Sequence, residues 1–164
     1  MPRAKHQFED FLMTVEDDHK KFVTTIHEMM LQDGYKLKVQ ETKSYGLHIS
    51  YSQPKIKVVK GIILYLLIRE GKLMIRINMD GHAKYTDVFN RLPERMVSQI
   101  DKMDDCKKLI DPTACWNGCG GHDLYIAGKH YKKCICSFRF DVDSESMPYL
   151  FELIQSETKE RCTI

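Results

Sequence analysis

The sequence predicts an α+β fold in which helices pack against an antiparallel sheet. Apolar residues recur at helical spacing near both ends of the chain, whereas several stretches between them alternate apolar with polar residues. The chain has 164 residues, with no internal repeat and no linker-like change of composition, so we expect one domain over residues 1–164. The expected sheet is a four-stranded meander plus a C-terminal hairpin, packed with an N-terminal helix, two middle helices and one C-terminal helix.

The N-terminal helix is indicated by apolar residues at i, i+3, i+4 and i+7 spacing from Phe8 to Met30. Charged residues such as Lys21 and Glu28 fill the opposite side. Gly34 follows the periodic run and fits a C-terminal cap, so we expect one uninterrupted helix before it.

The meander follows, with strands expected at residues 35–40, 45–51, 58–69 and 73–79. The first two alternate apolar with polar residues around a short turn at residues 42–44. The third is apolar on both faces and is therefore expected at the centre of the sheet. A glycine-containing turn at residues 70–72 leads into the fourth.

The remaining elements are shorter. Helices are expected near residues 85–91 and from Pro93 to Met103, and a second hairpin from residues 122–126 and 130–142. A last helix is expected to begin near Asp143 or Ser144, and the tail from Thr158 onward is expected to fray.

Four cysteines within one short stretch are the clearest chemical signal: Cys115, Cys119, Cys134 and Cys136. The first two lie in a glycine-rich loop, and the last two lie two residues apart on an expected strand, where their side chains would share one face. Four thiolates on adjoining elements could complete a tetrahedral zinc site. We therefore expect these four residues as metal ligands and zinc as the cofactor.

The spacing leaves alternatives open, since C-x3-C with C-x-C differs from the paired C-x2-C of a zinc ribbon. Cys106, His122 or His130 could replace any one ligand. The cysteines could equally be free thiols, buried as small apolar residues or exposed, or could form a disulfide or redox pair.

One face of the expected sheet carries polar side chains around an apolar and aromatic centre. His48, Tyr65, Arg76 and Asn78 fall on this face, and they are the candidate ligand-binding residues. Arg76 could bind an anion through two parallel hydrogen bonds, and Tyr65 offers a flat wall and a hydroxyl. The alternative is that later helices cover the face as a second core.

Other functions are open but less supported. A small enzyme could use a cysteine or histidine in the groove, although no phosphate-binding loop, dinucleotide fingerprint or serine elbow is present. A nucleic-acid-binding protein could use basic hairpins to contact phosphates. The lysines in question form two clusters: Lys55, Lys57 and Lys60, and Lys129, Lys132 and Lys133. The net charge of +2 does not favour nucleic acid.

The start of the chain has no apolar core of the kind found in signal peptides, and the longest apolar run is too short to span a bilayer. We therefore expect a cytoplasmic protein with no membrane association. Thiols stay reduced in that compartment, which favours free cysteines or metal over disulfides.

The chain resembles a family of small uncharacterised bacterial proteins over nearly its whole length. In the C-terminal stretch the resemblance is carried by Cys106-Lys-Lys-Leu-Ile-Asp-Pro112, Cys115, Cys119, Tyr131-Lys-Lys-Cys134, Phe138-Arg-Phe140 and the closing helix. Before it, Phe-x-x-Phe-Leu from Phe8 and Ser50-Tyr51-Ser52-x-Pro54-Lys55 also fit. The resemblance implies a bacterial cytosolic origin and carries no information about catalysis. The layout of helices and sheet is also similar to that of YjbR-like small domains. Together these features predict a binding or interaction module with a structural zinc, whose partner is a small molecule or a protein.

Overall fold

A computed structural model describes residues 6–53, 61–80, 82–115 and 119–162. Within these ranges the helices are α1 (Phe8–Thr14), α2 (Asp17–Gln32), α3 (Thr86–Asn90), α4 (Glu94–Lys102), α5 (Lys107–Ile110) and α6 (Met147–Cys162). The strands are β1 (Lys36–Thr42), β2 (Gly46–Ser52), β3 (Ile62–Arg69), β4 (Lys72–Ile77), β5 (His122–Ile126), β6 (Lys129–Lys133) and β7 (Arg139–Asp141). No helix in these ranges combines the length and the apolar character needed to cross a membrane.

The predicted α+β class is confirmed, and the main sheet is antiparallel with strand order β1-β2-β3-β4-β7. Its first four strands are the expected meander. β3 lies at the centre, and both of its faces are buried, as its continuous apolar sequence predicts: Ile63 and Leu64 are each 0% exposed. Residues 58–60 of the expected third strand lie outside the described residues.

The prediction of one long strand over residues 130–142 is wrong, because this stretch contributes strands to two different sheets. β6 pairs with β5 as a separate hairpin, and a 3-10 turn at Ile135–Ser137 then redirects the chain. β7 joins the main sheet beside β4, where Phe140 pairs with Ile75 and both side chains are fully buried. Burial of Phe138 and Phe140 in the main core accounts for the change of direction.

The single N-terminal helix expected from the periodicity is also wrong, since α1 and α2 are separate. Val15 ends α1 in an extended conformation, with φ −85° and ψ 137°. α2 then begins with Asp17 and Asp18, whose charges suit the positive end of a helix. The periodicity does not reveal the break because Val15 keeps its apolar phase and is 3% exposed.

The last helix does not fray at Thr158, because its final turns are fixed to the end of β4. Glu157 is fully buried and accepts hydrogen bonds from the Asp80 amide (2.9 Å), the Tyr85 hydroxyl (2.5 Å) and Arg161 Nε (3.0 Å). Arg161 also donates to the Asn78 carbonyl at 2.9 Å. A buried ion pair with these hydrogen bonds holds α6 in place through its last turns.

Candidate functional site

A row of polar residues crosses one face of the main sheet, from β2 to β7. The strand register pairs Ser50 with Tyr65, Tyr65 with Arg76, and Arg76 with Arg139. Two arginines are therefore directly opposite each other on neighbouring strands. Like charges in this position destabilise a sheet unless something neutralises them.

A cavity of ≈ 130 Å³ opens on this row. Its lining residues are Tyr45, His48, Tyr65, Leu67, Arg76 and Arg139. The Arg76 guanidinium carbon lies 4.7 Å from the centre of the Tyr65 ring, and that of Arg139 lies 5.8 Å from the centre of the Tyr45 ring. Each cation is thus placed beside an aromatic ring, with the buried Leu67 as an apolar contribution to the wall.

Neither arginine has an acidic partner in the part of the chain that the structure describes. Within the described residues, no carboxylate oxygen lies within 4.0 Å of the Arg76 or Arg139 guanidinium. Arg76 Nε donates instead to the neutral side-chain oxygen of Asn78 at 3.3 Å. The two positive charges therefore give the cavity a positive electrostatic potential, as expected of a site that binds an anion.

His48 adds a third polar group to the cavity and is only 6% exposed. Its Nδ1 lies 3.1 Å from the Gly46 carbonyl, which can only accept, so Nδ1 carries the proton. The other ring nitrogen, Nε2, is then an acceptor in the neutral ring and a donor in the protonated ring. The Tyr45 ring packs edge-on against the imidazole, with centres 5.9 Å apart.

Three of the four predicted ligand-binding residues line the cavity, and Asn78 does not. Asn78 is 4% exposed, and its amide nitrogen donates to the Ile62 carbonyl at 2.8 Å. Because its oxygen accepts from Arg76, Asn78 orients that arginine without facing a ligand. The face is open here, since Tyr65 and Arg76 are both half-buried.

Sequence reasoning missed Tyr45 and Arg139 as cavity residues. Tyr45 lies at the turn between β1 and β2. The alternation of apolar and polar residues predicts these strands but does not predict contacts between their turn and β7. Arg139 lies between two buried phenylalanines, which indicates an outward side chain. Only the pairing of β7 with β4 shows which surface it reaches.

The cysteines do not have the arrangement that their spacing predicts. Cys134 and Cys136 do not share a strand face, because β6 ends at Lys133 and Cys136 lies in the following 3-10 turn. Cys119 is buried, Cys115 and Cys134 are half-buried, and Cys136 is exposed. As placed, no group of three histidine, cysteine or acidic side chains among the described residues could hold a metal ion.

The pKa values of Cys136 and of the buried His122 are both shifted by burial. Burial raises the pKa of Cys136, and the nearby Arg76 lowers it less than burial raises it. Nucleophilic cysteines have lowered pKa values, so the direction is opposite to that of an activated thiol. Burial lowers the pKa of His122 to about 3, so this ring stays neutral at physiological pH.

The basic residues near Tyr131 are partly neutralised within the chain. Lys129 forms an ion pair with Asp101 at 2.7 Å, and the buried Lys133 forms one with Asp105 at 2.9 Å. Both lysines are therefore less available to phosphates than their spacing suggests. The other predicted basic cluster, Lys55, Lys57 and Lys60, lies outside the described residues.

Comparison of the chain with protein-family models, with curated proteins and with solved structures gives no match. The resemblance to a bacterial family and to YjbR-like domains therefore stays a prediction. Function has to be inferred from the geometry of the cavity and of the cysteine cluster.

Proposed function

We propose that this protein is a binding module for a small organic anion, held between Arg76 and Arg139 in the cavity walled by Tyr45 and Tyr65. The observation that carries the proposal is a pair of arginines that lie opposite each other on neighbouring strands, line one cavity and have no carboxylate partner among the described residues. An anion between them would remove their mutual repulsion. It would also gain charge-assisted hydrogen bonds, which are stronger than neutral ones.

The lining of the cavity restricts the ligand. A guanidinium group matches the planar oxygens of a carboxylate or the oxygens of a phosphate, and His48 Nε2 offers one further polar contact. Two tyrosine rings and Leu67 favour a flat apolar body next to the charge. A volume of ≈ 130 Å³ is close to the ~150 Å³ that encloses a benzene-sized guest, so one ring or one charged head group fills the cavity.

Binding is favoured over catalysis by the state of the groups around the cavity. Cys136, which lies near Arg76, has a raised pKa, and the buried His122 stays neutral. A general base or nucleophile needs a pKa tuned towards the working pH. The cavity supplies charge and shape for recognition without an activated group.

The test is calorimetric titration of the full chain with sodium benzoate and, separately, with inorganic phosphate. We expect saturable binding of benzoate that weakens about 10-fold or more in Arg76→Gln and in Arg139→Gln, since each change removes a charged hydrogen-bond donor. Arg69→Gln is the matched control, because Arg69 is an exposed arginine at the end of β3 outside the cavity. That variant should bind as the wild type does.

The two ligands separate the sources of affinity. If benzoate binds and phosphate does not, the aromatic walls contribute to the affinity. If phosphate binds as tightly as benzoate, charge alone determines the affinity. If neither ligand binds at low ionic strength, or if the Arg69 variant loses as much affinity as the other two, the proposal is wrong.

A further inference from the structure

The neutral ring of His48 gives the anion cavity a hydrogen-bond acceptor at a fixed place. His48 lies on β2 and is 6% exposed, and its Nδ1 is 3.1 Å from the Gly46 carbonyl oxygen. A carbonyl oxygen has no hydrogen to donate, so this contact keeps the proton of the neutral ring on Nδ1. Nε2 then carries a lone pair and accepts. The strand that holds His48 therefore sets its tautomer before any ligand binds.

His48 Nε2 has no hydrogen-bond partner among the residues that the structure describes. The hydrogen bond that the ring makes there uses Nδ1. Nε2 is nevertheless not fully enclosed by protein, and the space beside the ring is that of the cavity. A ligand that displaces water from such an acceptor without replacing the hydrogen bond loses affinity. Nε2 is therefore an acceptor that a ligand in the cavity has to satisfy.

The other polar side chains of the cavity do not duplicate this acceptor. The guanidinium groups of Arg76 and Arg139 only donate hydrogen bonds. The hydroxyls of Tyr45 and Tyr65 donate or accept, so either kind of ligand atom suits them. Burial raises the pKa of Tyr65, which keeps its hydroxyl protonated. Among the lining side chains that the structure describes, His48 is thus the one that demands a donor from the ligand.

The strand register separates this acceptor from the two arginines by about the length of one ring. Arg76 and Arg139 lie in the same row across the sheet as Tyr65. His48 pairs with Leu67, which is two residues farther along β3. Two residues of a strand span about 7 Å, which is comparable to the distance between two groups on opposite sides of a benzene ring. A ligand with an acid at one end of a ring and a donor at the other therefore reaches both.

We propose that the anion of this cavity is a hydroxylated aromatic carboxylate, whose hydroxyl donates to His48 Nε2 while its carboxylate lies between Arg76 and Arg139. This inference rests on the proposed anion site and names the class of its ligand. The Tyr45 ring lies beside both ends of that ligand, since its centre is 5.8 Å from the Arg139 guanidinium carbon and 5.9 Å from the centre of the His48 ring. A single ring fills the volume of ≈ 130 Å³, so its two substituents meet the polar side chains at the edge of the cavity.

The charge of the cavity selects the kind of donor. An ammonium group would also donate to His48 Nε2, but two guanidinium groups in the same cavity repel a cation. A hydroxyl donates without carrying a charge. The arginines therefore bind the acid, and His48 determines specificity, because a ring without the hydroxyl leaves Nε2 unpaired.

The experiment is calorimetric titration of the full chain at pH 7.5 with benzoate, 3-hydroxybenzoate, 4-hydroxybenzoate and the two corresponding methoxybenzoates. We expect one of the hydroxybenzoates to bind about 10-fold more tightly than benzoate, since a hydrogen bond to a buried acceptor is worth roughly that factor. The methoxybenzoates carry the added oxygen without its hydrogen, so they should bind no more tightly than benzoate.

Variants assign this difference to His48. His48→Phe keeps a flat ring but has no acceptor, so the ratio of hydroxybenzoate to benzoate affinity should fall from about 10 to about 1. Arg76→Gln should weaken the binding of both acids and leave that ratio close to its wild-type value. His130→Phe is the matched control, because His130 is an exposed histidine outside the cavity, and both affinities should stay as in the wild type. If His48→Phe does not fold, as judged by circular dichroism, His48→Ala takes its place with the same expected ratio.

The outcomes separate this inference from the proposed anion site. If benzoate binds with its dependence on Arg76 but neither hydroxybenzoate binds more tightly, the inference about His48 alone is overturned. The same holds if the advantage of the hydroxyl persists in His48→Phe. Failure of benzoate and of both hydroxybenzoates to bind would overturn the inference together with the anion site.

Discussion

Acidification should destabilise this protein through one buried imidazole, that of His122. The side chain is 1% exposed and packs edge-on against Phe138, with ring centres 4.8 Å apart. Its Nε2 accepts a hydrogen bond from the Met79 amide at 3.3 Å. Burial, with smaller contributions from the neighbouring His82 and Arg76, lowers the pKa of His122 to about 3. The native state therefore holds this ring in its neutral form.

The size of the effect follows from the difference between the pKa of His122 in the folded protein and its pKa in the unfolded chain. In the unfolded chain the pKa of a histidine is about 6.5. Between about pH 6.5 and pH 3 the unfolded state binds a proton that the folded state does not, so the free energy of unfolding falls as the pH falls. The slope from this residue alone approaches about 1.4 kcal/mol per pH unit well below pH 6.5, which gives roughly 3 kcal/mol between pH 7.5 and pH 4.5.

The assay is urea unfolding of the wild type and of His122→Gln at pH 7.5, 6.5, 5.5 and 4.5. Glutamine keeps an acceptor for the Met79 amide but cannot be protonated in this range. We expect the variant to be less stable than the wild type at pH 7.5 and to lose about 3 kcal/mol less on acidification to pH 4.5. His130→Gln is the control, because His130 is an exposed histidine on the neighbouring strand.

Protonation of carboxylates also lowers the free energy of unfolding, but it does so equally in the wild type and in His122→Gln. The difference between their stability–pH curves therefore reports His122 alone. Parallel curves for the wild type and His122→Gln would refute the argument. They would show that the ring is protonated in the folded state or that solvent reaches it.

Two further substitutions test the packing around the sites. Glu157→Ala should lower the free energy of unfolding by about 3 kcal/mol or more in urea titrations, since it leaves the buried Arg161 without its nearest carboxylate; an unchanged midpoint would contradict this. Gly121→Ala should destabilise more than Gly128→Ala, by thermal unfolding. Both glycines have a positive φ (66° and 81°), but only at Gly121 would the new Cβ collide with Cys106 Sγ, so equal losses would argue against that close contact.

The parts of the fold that the sequence predicts are those set by local patterns. Alternation fixes the faces of β1 to β4 and the turns between them, so the amino-acid pattern alone assigns His48, Tyr65 and Arg76 to one surface. The same reasoning does not place Arg139, because its position depends on which distant strand β7 pairs with. Register between strands far apart in sequence is decided by burial of Phe138 and Phe140 in the core, and alternation alone does not encode it.

The placement of the cysteines differs from the expected one for a related reason. Counting residues treats Cys134 and Cys136 as neighbours on one strand, but the 3-10 turn at Ile135–Ser137 sends Cys136 to the surface. Cys106 lies nine residues before Cys115 in a segment without a strand pattern, and only its bridge to β6 places it beside that hairpin.

The segment between β6 and β7 leads from the cysteine-rich part of the chain to the cavity. Cys134, at its start, lies near the Cys119 thiol, and Cys136, two residues later, lies near Arg76 at the cavity. Arg139, at the start of β7, then contributes the second cation of that cavity. Because β7 pairs with β4, the main sheet fixes the backbone at Arg139 opposite Arg76. We therefore expect an anion that binds between the two arginines to lose less affinity to backbone ordering than it would at a flexible loop.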